Sequence, residues 1–162
     1  MQPGVQNCTV DEGKFLTFVI NKEEYGIEIL KVREIIGVIG ITPVPQTPDY
    51  LKGVINLRGK VIPIIDLRLK FSMQEEEHKQ ETCIIVVEVN NAPIGIIVDN
   101  VSEVLDIRGE EVEDTPQFGH NIDTDYITGL GKAKEKIIIL LDIEKVLSSE
   151  EIEMVEKITE NG

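Results

Sequence analysis

FVINKEEYGIEILKVREI at residues 18–35 and VEVNNAPIGIIVDNVSEV at residues 87–104 are two readings of one pattern, set 69 positions apart. Five of the eighteen positions are identical: Asn21/Asn90, Gly26/Gly95, Ile27/Ile96, Val32/Val101 and Glu34/Glu103. Each copy runs as an apolar strand, a polar turn, a Gly-Ile strand and a short segment ending Glu-Ile or Glu-Val. A second pair follows them, GVINLRGKVIPIIDL at 53–67 and YITGLGKAKEKIIILLDI at 126–143. Both lead from a Gly-containing turn into an Ile-rich strand that closes on Asp66 or Asp142. The chain therefore reads as two tandem copies of one β-rich unit.

Composition agrees with that reading. The 162 residues are 41% hydrophobic but only 4% aromatic, with no Trp, so Ile, Val and Leu must build the core, as suits buried strands. That is enough for one domain, or for two subdomains of about 70 residues sharing a core. The longest apolar runs, such as Ile137–Leu141, are strand-sized and fall well short of the ~20 residues that span a bilayer. Residues 1–13 lack a basic-then-apolar leader and read as a flexible start to a cytoplasmic protein. Cys8 and Cys83 form no spaced framework, so structural disulfides are not expected. Sixteen basic against thirty acidic residues leave a net charge of −14, which repels nucleic acid and anionic lipid and points to protein partners.

Along the chain, Lys14–Ile20 and Glu24–Ile29 read as a hairpin. Leu30–Ile36 has the spacing of one or two helical turns stopped by Gly37, Ile39–Val44 reads as a strand ended by prolines, and Asp49–Lys52 as a turn. Gly53–Ile65 is a hairpin turning at Asn56-Leu57-Arg58-Gly59, with Pro63 predicting an edge or bulged position. Leu67–Met73 reads as a short helix. The first unit spans about 14–73 with crossing elements, the polar stretch 74–81 is the connector, and the second unit spans about 82–147. Its strands are expected at Thr82–Val89, Ala92–Val98, Val101–Ile107, Ile127–Ala133 and Ile137–Asp142. Residues 148–162 read as a C-terminal helix with Ser149 as N-cap and Ile152, Val155 and Ile158 on one face.

A search for reactive centres returns little. His78 and His120 sit in polar sequence without Cys or His at ligand spacing. Gly129-Leu130-Gly131 lacks the remaining features of a nucleotide loop, and no base accompanies Ser148, Ser149 or Cys83. Asp99, Glu103 and Asp142 form no calcium-loop pattern. The reading is of a non-enzyme with no cofactor and no metal. Arg58, at the tip of an apolar hairpin near where the Glu34 segment should return, stands out instead, because its planar fork can pair a carboxylate bidentately. Spacing alone leaves open an Arg exposed at a turn and a Glu on a solvated face.

The stretches EEYGIEILKVREI (23–35), ITPVPQTPDYLKGVINLRGKVIPIIDLRLKF (41–71), IGIIVDNVSEVL (94–105) and DTDYITGLG with IIILLDIEKVL (123–147) resemble the CheW-like chemotaxis coupling proteins. The resemblance covers about residues 14–150. It implies a mainly β fold of two Src-homology-3-like five-stranded barrels sharing a hydrophobic core, to which the residues themselves add short helices and a C-terminal helix, an acidic extension in which this chain departs from the family. It also implies a cytoplasmic scaffold, recruited to membrane-associated arrays, that couples the tips of transmembrane chemoreceptors to the regulatory domain of the histidine kinase CheA. Receptor contacts would fall at Val32, Glu34, Arg58, Val101 and Val104, and kinase contacts at Leu16, Ile29, Ile41 and Phe118. The apolar members of both sets could equally be core residues by strand alternation, whereas Phe118 lies in a polar loop with little core to join. A small-ligand or metal-sensing β-barrel is the alternative function.

Overall fold

The turns at Asn21-Lys22 and Asn90-Asn91 both hold left-handed φ at their two central residues, 53° and 69° in one and 53° and 65° in the other. This is the backbone signature of the type I′ hairpin, whose twist matches its flanking strands and which Asn tolerates. They join β1 (Gly13–Ile20) to β2 (Glu23–Glu28) and β6 (Cys83–Val89) to β7 (Ala92–Val98). The computed structural model describes residues 13–113 and 126–161. The hairpin β4 (Leu51–Leu57)–β5 (Lys60–Asp66) repeats the device at Arg58 (52°) and Gly59 (86°), and β10 (Ile127–Ala133)–β11 (Lys136–Leu141) at Lys134 (51°) and Glu135 (63°). The remaining strands are β3 (Val32–Gly37), β8 (Asn100–Ile107) and the two-residue β9 (Val112–Glu113). Short helices α1 (Leu67–Lys70) and α2 (Ile143–Val146) follow β5 and β11, each capped by the preceding Asp66 or Asp142, and α3 covers Ser149–Asn161.

The strands form two sheets, ordered β8-β1-β2-β11-β10-β9 and β3-β6-β7-β5-β4. Each sheet takes strands from both repeat copies, so the halves of the chain on either side of the connector are interleaved. All pairings are antiparallel except β2–β11 and β5–β7, which set Gly26 against Leu140 and Gly95 against Ile64. The chain passes from the first sheet to the second between β2 and β3, and back between β7 and β8.

Three apolar clusters follow from this layout. Phe15, Leu105, Ile107, Ile138 and Leu140 fill the curve of the first sheet, and Ile55, Ile62, Ile64, Ile84, Val86 and Ile97 that of the second. The largest cluster, including Leu16, Phe18, Ile27, Ile85, Val87 and Ile96, is shared between the sheets. Phe18, Tyr25, Phe71 and Tyr126 stack in series through this region, with centroids 6.0, 5.8 and 5.0 Å apart. The expected mainly β class with two barrel-like units, short helices and a shared core is what the strands build, although β9 gives the first sheet six strands instead of five.

Several local expectations are corrected. Ile29–Lys31 is a single 3-10 turn, and Val32–Gly37 is a strand. Ile39–Val44 contributes only a bridge, Thr42 to Val54, because its prolines cannot extend a ladder. Asp49–Tyr50 turns, but β4 already begins at Leu51. Pro63 sits on an interior strand. Val54 spends its N–H and C=O on Thr42 (2.9 and 2.8 Å), so the Val54–Pro63 pair exchanges no hydrogen bonds, and the β5–β7 ladder starts one residue later at Ile64. The cap of α3 is Ser148, whose Oγ accepts the Glu151 N–H at 3.1 Å while Glu151 Oε1 accepts the Ser148 N–H at 2.7 Å. The helix packs on the barrels, with Val155 buried and Ile152 against the shared core. Among the described residues, no helix is long and apolar enough to cross a membrane.

Candidate functional site

Glu34 shares a strand face with Ile36, which packs on the interior cluster of the second sheet, as does Val38 just past the end of β3, so the Glu34 carboxylate stands at the mouth of that barrel. A bulge between Val32 and Glu34 sets this register against β6. The β4–β5 turn carries Arg58 to the same mouth, where its guanidinium donates to the Glu34 carboxylate. The Glu34 and Arg58 proposed from sequence are thus brought together, with side chains 31% and 70% exposed. Such a pair contributes under ~1 kcal/mol to stability.

Sequence reasoning missed that the pair has a twin. Glu103, the repeat counterpart of Glu34, accepts from Lys134 at 2.8 Å, and Lys134 occupies the hairpin tip corresponding to Arg58. The Lys134 hydrogen bond holds the Glu103 carboxyl below its ordinary value. Beside it Lys136 pairs with Glu24 at 2.9 Å, and that bond raises the lysine above its ordinary value. Thr17 secures the bulge beneath: its buried hydroxyl donates to the Glu103 C=O at 2.8 Å and accepts the Glu103 N–H at 3.1 Å. The 69-residue repeat already aligned Glu34 with Glu103 and was the signal available.

Val32 and Val101 are half-buried against the shared core, and Val104 is 48% exposed on β8, an edge strand of the first sheet. Its counterpart Ile35, on the edge strand β3, is 44% exposed. Leu16 is 3% exposed and belongs to the shared core, so it is a packing residue and offers no exposed contact. Ile29 lies half-buried against the shared core, and Ile41 against the second barrel's interior. Phe118 and His120 lie outside the described residues. His78 lines a cleft of about 210 Å³ with Asp66, Arg68 and Asp99. There Arg68 grips Asp99 through Nε and Nη2 at 3.0 and 2.6 Å, and Asp99 also accepts the Asn21 N–H at 2.9 Å. This clasp ties α1 to the β7–β8 crossover and to the β1–β2 turn. Among the described residues, no group of three His, Cys, Asp or Glu could hold a metal ion.

The description "CheW-like domain" fits residues 14–151. The chain is 46% identical over 148 residues to the chemotaxis protein CheW of Klebsiella aerogenes, covering 91% of this chain and 89% of that one. It is 37% identical over 138 residues to CheW of Helicobacter pylori, covering 85% and 82%. The crystal structure of the scaffolding protein TtCheW from Thermoanaerobacter tengcongensis superimposes with a TM-score of 0.77 at 36% identity, covering 83% of this chain and 92% of that one. With paired Src-homology-3-like subdomains, a shared core and a domain match over nearly its whole length, the chain belongs to the CheW-like family of chemotaxis scaffold proteins.

Proposed function

We propose that this chain is a non-catalytic adaptor that couples chemoreceptors, at their cytoplasmic helical tips, to the regulatory domain of the histidine kinase CheA. In this reading it is a cytoplasmic protein recruited to membrane-associated receptor arrays. The receptor surface consists of Glu34 and Arg58 with Val32, Val101 and Val104, and takes the tip as a helix laid against a partly apolar surface. The kinase surface includes Ile29, Ile41 and Phe118. What carries the reading is the Glu34–Arg58 pair at the second barrel's mouth: it is exposed, adds little to folding, and offers a fixed donor and acceptor to a partner.

The test is Arg58→Ala, assayed by titrating a receptor tip fragment into the purified protein by calorimetry. Affinity is expected to fall about tenfold or more, while the unfolding midpoint moves by less than the equivalent of ~1 kcal/mol. Unchanged affinity would refute the assignment. A ternary complex with receptor and CheA fragments, eluting together in size exclusion, tests the coupling role separately.

A further inference from the structure

The two barrel mouths are built alike but charged differently. In the first, Glu103 pairs with Lys134 and Glu24 pairs with Lys136, so two carboxylates meet two ammonium groups. The corresponding positions in the second mouth are Glu34 with Arg58, and Pro93 with Lys60. Pro93 supplies no carboxylate, so Lys60 has lost the partner that its counterpart Lys136 keeps. Arg33, exposed beside Glu34, adds a further cation where the first mouth has Ser102. No described residue forms an ion pair with Arg33 or Lys60. Three cations therefore surround one carboxylate, on a chain whose net charge is −14.

These groups line a single cleft of about 310 Å³. Its walls carry Arg33, Arg58 and Lys60, and its apolar lining comes from Leu57, Ile62 and Pro93. In an acidic protein such a cleft is a local positive potential backed by apolar surface, and it selects for the opposite charge. We infer that the second barrel's mouth binds an acidic amphipathic protein segment, whose carboxylate meets Lys60 and Arg33 while an adjacent apolar side chain covers Leu57 and Pro93. The first mouth, with its charges already matched internally, serves as the neutral counterpart within the same molecule. This deepens the receptor reading by giving the tip segment a required chemistry, and it rests on that reading only for the partner's identity.

The test compares the full chain with Lys60→Glu, Arg33→Glu and the charge-matched control Lys157→Glu on α3, each titrated with the receptor tip fragment at low and at physiological salt. Lys60→Glu and Arg33→Glu are expected to weaken binding about tenfold each and to flatten its salt dependence, and Lys157→Glu to change it less than about twofold. Equal effects of all three variants would overturn the inference, since they would report net charge alone. If Arg58→Ala weakens binding and the Lys60 and Arg33 variants do not, the receptor reading stands and this inference fails. If the fragment does not bind at all, a Glu-rich helical peptide decides in its place, read by amide shifts in the ¹⁵N-labelled protein. Shifts centred on Leu57, Gly59 and Val86 and abolished by Lys60→Glu support the inference; their absence, or equal shifts with single-stranded DNA, overturns it.

Discussion

Replacing Thr17 with Val tests how the barrel mouths are held in register. Thr17 is fully buried, and its hydroxyl bridges both the N–H and the C=O of Glu103 across the bulge between β1 and β8. Valine keeps the shape but removes both bonds, leaving two backbone groups of Glu103 without that partner. Each bond contributes about 1 kcal/mol, and an orphaned buried polar group costs about 1–3 kcal/mol. The new methyl group recovers about 0.8 kcal/mol. A net loss of about 2 kcal/mol is expected, lowering the melting temperature of a chain of this size by about 4–8 °C. Thr17→Ser keeps the hydroxyl and deletes one methyl, for a loss of about 1 kcal/mol. Urea titrations of both variants, read at constant m-value, make the comparison. If Thr17→Val proves no less stable than Thr17→Ser, packing rather than the hydroxyl bridge holds this edge, and the argument fails. The second barrel supplies the contrast, for the residue opposite Glu34 is Val86.

Gly53→Ala should cost about 3 kcal/mol or more, because the residue has φ of 143° and an added Cβ would lie 2.1 Å from the Thr42 carbonyl oxygen; a melting temperature within a few degrees of the parent would contradict this. Burial raises the Glu151 carboxyl, but the Ser148 N–H, Lys70 and Tyr50 outweigh it and hold the group down at about 2. Because this folded value lies below the ordinary 4.5, the stabilisation is complete above pH 4.5 and is lost as pH falls from there towards 2. Urea midpoints across that window should show a loss of about 2 kcal/mol that Glu151→Gln abolishes, and an unaltered profile would remove Glu151 from the explanation.

Much of the fold could be read from residues that act locally. Alternating Phe15, Leu16, Phe18 and Ile20 ahead of Asn21, and the Ile-Val run ahead of Asn90, carry their hairpins in their own period and turn chemistry. Val32, Ile35 and Ile36 misled, because their spacing also suits a helix. In the structure Ile35 is exposed on an edge strand while Glu34 and Ile36 turn towards the barrel, an alternation that hydrophobicity alone conceals. Leu16 followed the opposite course: a plausible contact by resemblance, it is sealed between the sheets by partners from both copies. The Glu34–Arg58 pair was legible because a turn and an apolar return strand placed it. The surplus charge at Arg33 and Lys60 was not, since it emerges only when one mouth is compared with the other in three dimensions.

Interleaving of the two copies has a consequence for how this chain is made. The β1–β2 hairpin leaves the ribosome early, yet its sheet neighbours β8 and β11 are not synthesised until residues 100–107 and 136–141. Neither barrel can be completed by a nascent first half, so such long-range pairing must be slow and the early hairpin's apolar face stays uncovered through most of translation. By the same logic, two fragments severed at the connector would be obliged to assemble with each other, and the native fold would return only as a noncovalent complex of both.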